Sequence, residues 1–183
     1  VYIAMNSNTQ NPRLIALDKN SGQPVFDVSL NIPEAPNQGT SGAPLAVKDK
    51  IIVGSSGRNE TGRGYVAAYS PVDGKLLWKF FTIPDPPKEI GKNSAGTPLY
   101  GPSGVSVWNS PTVDPKLNAI YVGTGEAAVG PVPKTSDAVV AVTRVSNAQT
   151  PCSLSIVVES FDTSSGVTHV YHAEGDAVGG FGR

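Results

Sequence analysis

With 183 residues, 39% of them hydrophobic, the chain is long enough to bury a core, so wholesale disorder is excluded. A formal net charge of −1, with no run of like charges, excludes a basic footprint for nucleic acid or an anionic membrane, and no stretch of about 18 apolar residues offers a transmembrane helix. Only 16% of residues are charged while Gly 20 and Pro 16 make up about a fifth of the chain, which favours many short strands joined by turns over helices.

Val1 to Met5 reads as a short apolar strand with no basic and apolar leader before it, so a signal peptide is expected to be absent or already removed. A polar loop follows from Asn6 to Pro12, then an alternating strand from Leu14 to Asp18, a turn at Asn20-Ser-Gly, and a strand from Pro24 that carries Phe26. Gly42-Ala-Pro-Leu-Ala-Val, Lys48-Asp-Lys and Ile51-Ile-Val-Gly read as strand, tight turn and strand. Tyr65 to Phe80, YVAAYSPVDGKLLWKF, is the clearest hairpin: Pro71 presets a turn φ, Gly74 is free to take φ > 0, and Trp78 ends the pair. A lone hairpin has no pocket for an indole, so a neighbouring copy is expected to receive it.

Ala16 and Ala68, Asp18 and Ser70, Gly22 and Gly74, and Phe26 and Trp78 are each separated by 52 residues, which argues for a repeat. Asn109-Ser-Pro-Thr-Val, Asp114-Pro-Lys-Leu-Asn and Ala119-Ile-Tyr-Val-Gly repeat the strand, turn and strand of residues 42–54. Each unit is then two hairpins, four strands in about 50 residues, the content of a propeller blade. The expected fold is all-β, a partial propeller of about three four-stranded antiparallel blades. The segments are 1–30, the end of one blade; 31–81, a second blade; 82–105, a loop; 106–150, a third blade; and 151–183, a C-terminal segment that the pattern leaves unassigned. At this repeat length the chain holds about three and a half units against the four to eight of a closed ring, so it is expected to be a piece of a larger propeller.

The loop at 82–105, rich in Pro, Gly, Ser and Lys, is long enough to be functional or an idle surface excursion. From Ser136 a third hairpin begins, its turn lacks glycine, and beyond Val142 the repeat decays; Leu154 to Glu159 and Gly166 to Tyr171 read as strands and Glu174 to Arg183 as a frayed tail. Cys152 has no partner for a disulfide or zinc site and reads as a small apolar residue. His169 and His172 fall at i and i+3 of a strand, so their imidazoles diverge and a metal role is not expected. Gly175 to Gly182 lacks the strand-to-helix context of a phosphate loop, and Asn59-Glu-Thr61 is an N-glycosylation acceptor only on a eukaryotic secretory route.

The repeated Ala-x-Asp-x-x-x-Gly-x-x-x-Trp spacing resembles the tryptophan-docking motif of the quinoprotein alcohol dehydrogenases, eight-bladed propellers that bind pyrroloquinoline quinone. Phe26 stands at the tryptophan place of the first copy and Ser70 at the aspartate place of the second. More specific are Val47-Lys-Asp-Lys-Ile-Ile-Val-Gly-Ser-Ser-Gly, then Arg63-Gly-Tyr-Val-Ala-Ala-Tyr, then Val107-Trp-Asn-Ser-Pro-Thr-Val-Asp-Pro-Lys-Leu-Asn-Ala-Ile-Tyr-Val-Gly-Thr-Gly-Glu. These look like cofactor-facing blades of methanol, ethanol and polyvinyl-alcohol dehydrogenases, over about Val1 to Val142.

The resemblance implies that Trp108 is the floor on which the quinone stacks; a core tryptophan between blades is the other reading. It places the family's calcium-binding carboxylate at Asn59, with Glu60 one residue on, and Glu126 where members usually have a metal-ligating asparagine; surface solvation would also explain Glu126. Ser41 and Ser56 fall where the family hydrogen-bonds the quinone carboxylates, and serine is also ordinary turn chemistry. The family's catalytic aspartate lies in a later blade that nothing here matches, so the catalytic residue is unknown, and the adjacent paired cysteines of many members are absent. The function implied is calcium- and quinone-dependent oxidation of an alcohol or polyol in the periplasm or outside the cell, with electrons passed to cytochrome c or another acceptor. The alternatives are a cofactor-free propeller acting as a scaffold or binding module, and a truncated chain without activity of its own.

Overall fold

The computed structural model of the chain describes residues 1–5, 11–35, 38–57, 62–117, 119–130, 139–144, 153–162 and 167–176. Asn59, Glu60, Thr61, Asn147 and Cys152 lie outside the described residues, as do 177–183 of the Gly-rich tail. All regular structure among the described residues is β, in short antiparallel strands, and no helix is long and apolar enough to cross a membrane.

In chain order the strands are β1 (Tyr2–Met5), β2 (Arg13–Leu17), β3 (Pro24–Ser29), β4 (Gln38–Gly39), β5 (Leu45–Val47), β6 (Lys50–Gly54), β7 (Ser56–Gly57), β8 (Tyr65–Tyr69), β9 (Leu76–Phe81), β10 (Lys88–Lys92), β11 (Pro98–Gly101), β12 (Ser103–Gly104), β13 (Thr112–Asp114), β14 (Ala119–Gly123), β15 (Ala127–Val129), β16 (Val139–Arg144), β17 (Ser153–Asp162) and β18 (Val167–Asp176). They form three main sheets: β1-β2-β3, β5-β6-β8-β9 and β13-β14-β16-β17-β18. Two ribbons, β4 with β7 and β12 with β15, prolong the first hairpins of the second and third sheets. Residues 88–101, within the stretch read from sequence as a loop, instead carry the hairpin β10–β11, built on an Asn93 side chain that accepts from the amides of Ala95 and Thr97. The third sheet runs on through β17 and β18 where the sequence repeat had decayed, and His169 and His172 occupy β18 positions opposite Ser160 and Val157.

The middle sheet sets the arrangement because both its faces are apolar. Strand alternation sends Tyr65, Ala67 and Tyr69 of β8, with Ile51 and Val53 of β6, into a core shared with Leu14 and partly buried Tyr2, Phe26 and Val28 of the first sheet. It sends Val66, Ala68 and Ile52 the other way, into a core shared with Val122 and Val140 of the third and with Val107, which precedes it. Stacked sheets with short turns between them are the blades of a propeller.

The two complete turns of the repeat are built alike. In the first, Asp18 Oδ1 accepts from the amides of Asn20 and Ser21; in the second, Ser70 Oγ accepts from the amides of Val72 and Asp73. Gly22 and Gly74 both sit at φ 72°, where a side chain would strain the turn. These amide bonds hold the Asp18 carboxyl below the usual carboxylate range. The Asp-to-Ser change therefore keeps the cap and drops the charge.

Phe26 pairs across the ladder with Ala16, and Trp78 with Ala68, each followed by a bulge in the same place. The Phe26 ring lies on Gly74 of the next blade, so near that a Cβ there would come within 2.8 Å of its Cδ2. Trp78 is partly buried against the core between the second and third blades. In both copies the aromatic residue packs in the seam with the following blade.

By the same repeat, the face of the first sheet that carries Ile15 and Leu17 corresponds to the covered face of Ala67 and Tyr69. It is open here: Ile3 and Met5 are 37% and 46% exposed. Ala68→Asp, which buries a lone carboxylate between two blades, is expected to cost about 3–5 kcal/mol in urea unfolding, and Ile15→Asp on the open face about 1 kcal/mol. Equal costs would contradict the two-core arrangement.

Burial raises the pKa of Tyr65 and Tyr69 well above the ordinary 10.0. The stability from keeping these phenols neutral is present below pH 10.0 and lost above it, where the unfolded chain ionises. Two of the chain's six tyrosines are thus expected to ionise only on unfolding, and Tyr69→Phe to move the alkaline unfolding midpoint upward. Ionisation of the full set near pH 10.0 with an intact fold would refute this.

Candidate functional site

The seam between the second and third blades brings three backbone segments together at one end. Ser41 and Trp108 hold equivalent places in them, each three residues before the proline that leads into its blade's first hairpin, Pro44 and Pro111. The segments run side by side: Ser41 Oγ donates to the Trp108 carbonyl at 3.4 Å, and Ser110 Oγ donates to the Ala43 carbonyl at 3.4 Å. The third segment, 123–126, is held against the second by the Gly125 amide donating to the Ser106 carbonyl and the Val105 amide donating to the Glu126 carbonyl, both at 2.8 Å.

Trp108 is 60% exposed, so it is not the tryptophan that fills a seam between blades; Trp78 has that role. Its Nε1 edge lies beside Gly125, where a Cβ would sit 3.3 Å away, and no side chain of residue 125 shields that edge. Glu126, next in the chain, is exposed, as is Ser41. Ser56 is nearly buried in β7, paired with Gly39 two residues before Ser41. Contacts therefore bring Ser41, Trp108 and the backbone of Glu126 together, and Ser56 stands on the adjoining ribbon of the same seam. Asn59 and Glu60 lie outside the described residues, among which no three His, Cys, Asp or Glu side chains cluster as a metal site.

Buried polar groups line the back of this seam. Ser106 Oγ donates to Gln38 Oε1 at 3.5 Å. The hydroxyls of Thr40 and Ser103, 1% and 0% exposed, have no partner among the described residues. Buried hydroxyls are usually satisfied, and these two are not satisfied by any described residue. An open indole next to glycine backbone, with the Ser41 hydroxyl on the neighbouring segment, fits a flat conjugated ring.

Behind the seam sits a buried cation that composition does not announce. Arg63 is 3% exposed; its guanidinium lies 3.7 Å from the centre of the Phe81 ring. It donates to the carbonyls of Glu34 at 3.1 Å, Ile83 at 3.0 Å and Pro84. Burial lowers its pKa, and the charges of Glu34 and Asp85 act against that shift. Glu34 is in turn bound by Lys79 Nζ at 2.6 Å, which holds its carboxyl below the usual range. The fork of donors ties loops 32–35 and 82–85 to the strand that leads into β8. Nothing in the sequence marks Arg63 for burial, which depends on loops distant in the chain that no local spacing reveals.

The sequence profile of the PQQ family, described as the glucose/ethanol/alcohol dehydrogenase β-propeller domain, matches residues 4–132. Quinohemoprotein alcohol dehydrogenase ADH IIB of Pseudomonas putida is 37% identical over 130 residues, 66% of this chain and 19% of that protein. A polyvinylalcohol dehydrogenase of a Pseudomonas species is 30% identical over 139 residues, 70% of this chain and 21% of that protein. Among solved structures, quinohemoprotein alcohol dehydrogenase ADHIIG of Pseudomonas putida superposes with TM-score 0.57 at 21% identity, over 96% of this chain and 30% of that one. A europium-containing methanol dehydrogenase gives TM-score 0.52 at 19% identity, over 95% and 37%. At such identities the structural likeness speaks for the propeller fold alone. The chain spans about a fifth of the length of the curated relatives it matches. With well over half of its residues covered by that profile, and with stacked antiparallel blades as its fold, the chain belongs to the PQQ-type glucose/ethanol/alcohol dehydrogenase β-propeller family.

Proposed function

We propose that the chain supplies the quinone-stacking seam of a pyrroloquinoline-quinone-dependent dehydrogenase that oxidises an alcohol or polyol, with further blades completing the enzyme. One observation carries this reading. Trp108, the residue at the family's stacking position, presents an open indole at the seam instead of filling a core.

In this reading Trp108 is the platform for the ring and Ser56 donates to its acidic groups; the Ser41 hydroxyl, which donates to the Trp108 carbonyl without the ring, turns its one proton to those groups when the ring is present. Glu126, with Asn59 or Glu60, supplies oxygen ligands to a calcium ion; hard carboxylate and carbonyl oxygens suit that ion, and a divalent charge needs negative groups around it. Held there, the quinone would supply an acceptor for the hydride of the alcohol, and a calcium ion held by Glu126 with Asn59 or Glu60 would supply Lewis-acid polarisation. Around that chemistry the chain's own contribution is binding and orientation. The Ser110 bond to the Ala43 carbonyl fixes segment 41–43 beside the indole, and the stacked blades keep water from the buried side of the seam. The proton-accepting base belongs to sequence outside these residues, as does the exit of electrons to a cytochrome or another acceptor. A periplasmic or secreted location follows from the same reading.

The test is a fluorescence titration with pyrroloquinoline quinone and calcium in a Trp78→Phe background, where Trp108 reports alone; Phe26 shows that phenylalanine fills the docking position. Saturable quenching is expected, with Trp108→Ala weakening quinone binding about tenfold or more and Glu126→Gln weakening calcium binding. Absence of saturable quenching would favour a cofactor-free scaffold, and binding indifferent to both substitutions would overturn the assignment of Trp108 and Glu126.

A further inference from the structure

Three residues before Trp108 the backbone makes a corner that the repeat does not explain. Gly104 sits at φ 97° and Val105 at φ 54°. A β-branched residue in the left-handed region is a true outlier, and such conformations persist only where the surroundings over-determine them. Val105 is wholly buried, so its conformation is enforced from several sides.

Three sets of hydrogen bonds enforce it. The Gly64 amide donates to the Gly104 carbonyl and the Gly104 amide to the Gly62 carbonyl, both at 2.9 Å, locking the corner to the strand entering β8. The Val105 amide donates to the Glu126 carbonyl at 2.8 Å. The Val105 carbonyl accepts from Thr82 Oγ1 at 2.7 Å, a buried side-chain bond. Gly64 lets this happen: a Cβ there would stand 1.9 Å from the Val105 carbonyl oxygen and 2.6 Å from Thr82 Oγ1.

The repeat separates the general role of position 82 from its particular one. Counting back by the repeat, Leu30 stands in the first blade where Thr82 stands in the second, and Pro12 where Gly64 stands. The Leu30 amide donates to the Pro12 carbonyl at 2.7 Å, as the Thr82 amide donates to the Gly64 carbonyl at 2.9 Å. Blade closure therefore needs only the backbone of this position and accepts a buried leucine there. The hydroxyl is an addition of the second blade, and its acceptor is the corner that leads to Trp108.

We propose that Thr82 is a positioning residue of the quinone site. Its hydroxyl holds the Val105 carbonyl, keeps the Gly104–Val105 corner left-handed, and so sets the indole of Trp108 and the segment of Glu126 in the arrangement that receives the ring. The proposal rests on the quinone reading above. It also has a consequence free of any ligand, because the corner either does or does not govern the setting of the indole.

Thr82→Val removes the hydroxyl and keeps the shape; Thr82→Ser keeps the hydroxyl. Val105→Gly relieves the strain, since glycine holds the left-handed conformation unaided. In the Trp78→Phe chain, the NMR resonance of the Trp108 indole NH and the affinity for pyrroloquinoline quinone are measured for each. Thr82→Val is expected to shift the resonance and weaken quinone binding about tenfold, the effect of one buried hydrogen bond. Thr82→Ser should restore both, and with Val105→Gly present Thr82→Val should change affinity by about twofold or less. A Thr82→Val chain that melts lower but keeps the parental resonance and affinity overturns the proposal, as does an undiminished effect beside Val105→Gly. Failure of the parent chain to bind quinone would overturn the functional reading instead; the ligand-free resonances then uphold the brace if they follow the same pattern across the variants and overturn it if they do not.

Discussion

Burial of both faces of one four-stranded sheet is the constraint on which the other features depend. The β5-β6-β8-β9 sheet presents Tyr65, Ala67 and Tyr69 to one neighbour and Val66 and Ala68 to the other, so it has no face that tolerates water. A sheet of that kind is stable only when sandwiched, and short turns within each unit leave stacking of successive units as the available solution. Small residues set how closely the sheets approach: with alanine at 67 and 68, large partners such as Phe26 and Trp78 reach across the seams. The aromatic residue on the last strand of one blade and the glycine turn of the next are two halves of one contact, as Phe26 over Gly74 makes plain.

Close stacking also gathers the polar chemistry. Where blades two and three meet, backbone segments approach so tightly that glycine is required at 64, and hydroxyls at 40, 82, 103 and 106 take up positions that β-sheet hydrogen bonds do not serve. The indole of Trp108 stays outside because its segment is pinned on both flanks, by Ser41 and Ser110 to the second blade and by the Gly125 and Val105 amides to its own. The strained φ of Val105 follows from the same crowding. Structural packing and site geometry are consequences of one approach distance between sheets.

Much of this was legible in the chain. Period-two alternation and glycine turns gave the hairpins, and the constant offset between Ala16 and Ala68 and between Phe26 and Trp78 gave the repeat; the observed turns at Gly22 and Gly74 match in φ and in hydrogen bonding. Legibility ended where contacts are not local. Hairpin β10–β11 carries too much lysine, glycine and proline to look like paired strand, and its order comes from an asparagine turn. Leu154 to Glu159 and Gly166 to Tyr171 read as strands in the sequence and correspond to β17 and β18, but their addition to the third sheet breaks the repeat length and so is not given by the offset. Arg63 and Thr82 look like ordinary surface residues in sequence, because the carbonyls that bind them come from loops about twenty residues away.

By itself, the sequence determined the units: which stretches are strands, which residues turn the chain, which positions are apolar on both sides, and that the motifs around Trp108 resemble those of quinoprotein dehydrogenases. These follow from local periodicity and turn chemistry, which act over a few residues. Tertiary structure alone decided which tryptophan is buried and which is open, that Ser41 and Trp108 are neighbours, and that a threonine hydroxyl braces a strained valine. Those outcomes depend on how closely two sheets pack, a distance set jointly by side chains from both blades and written in neither blade's sequence.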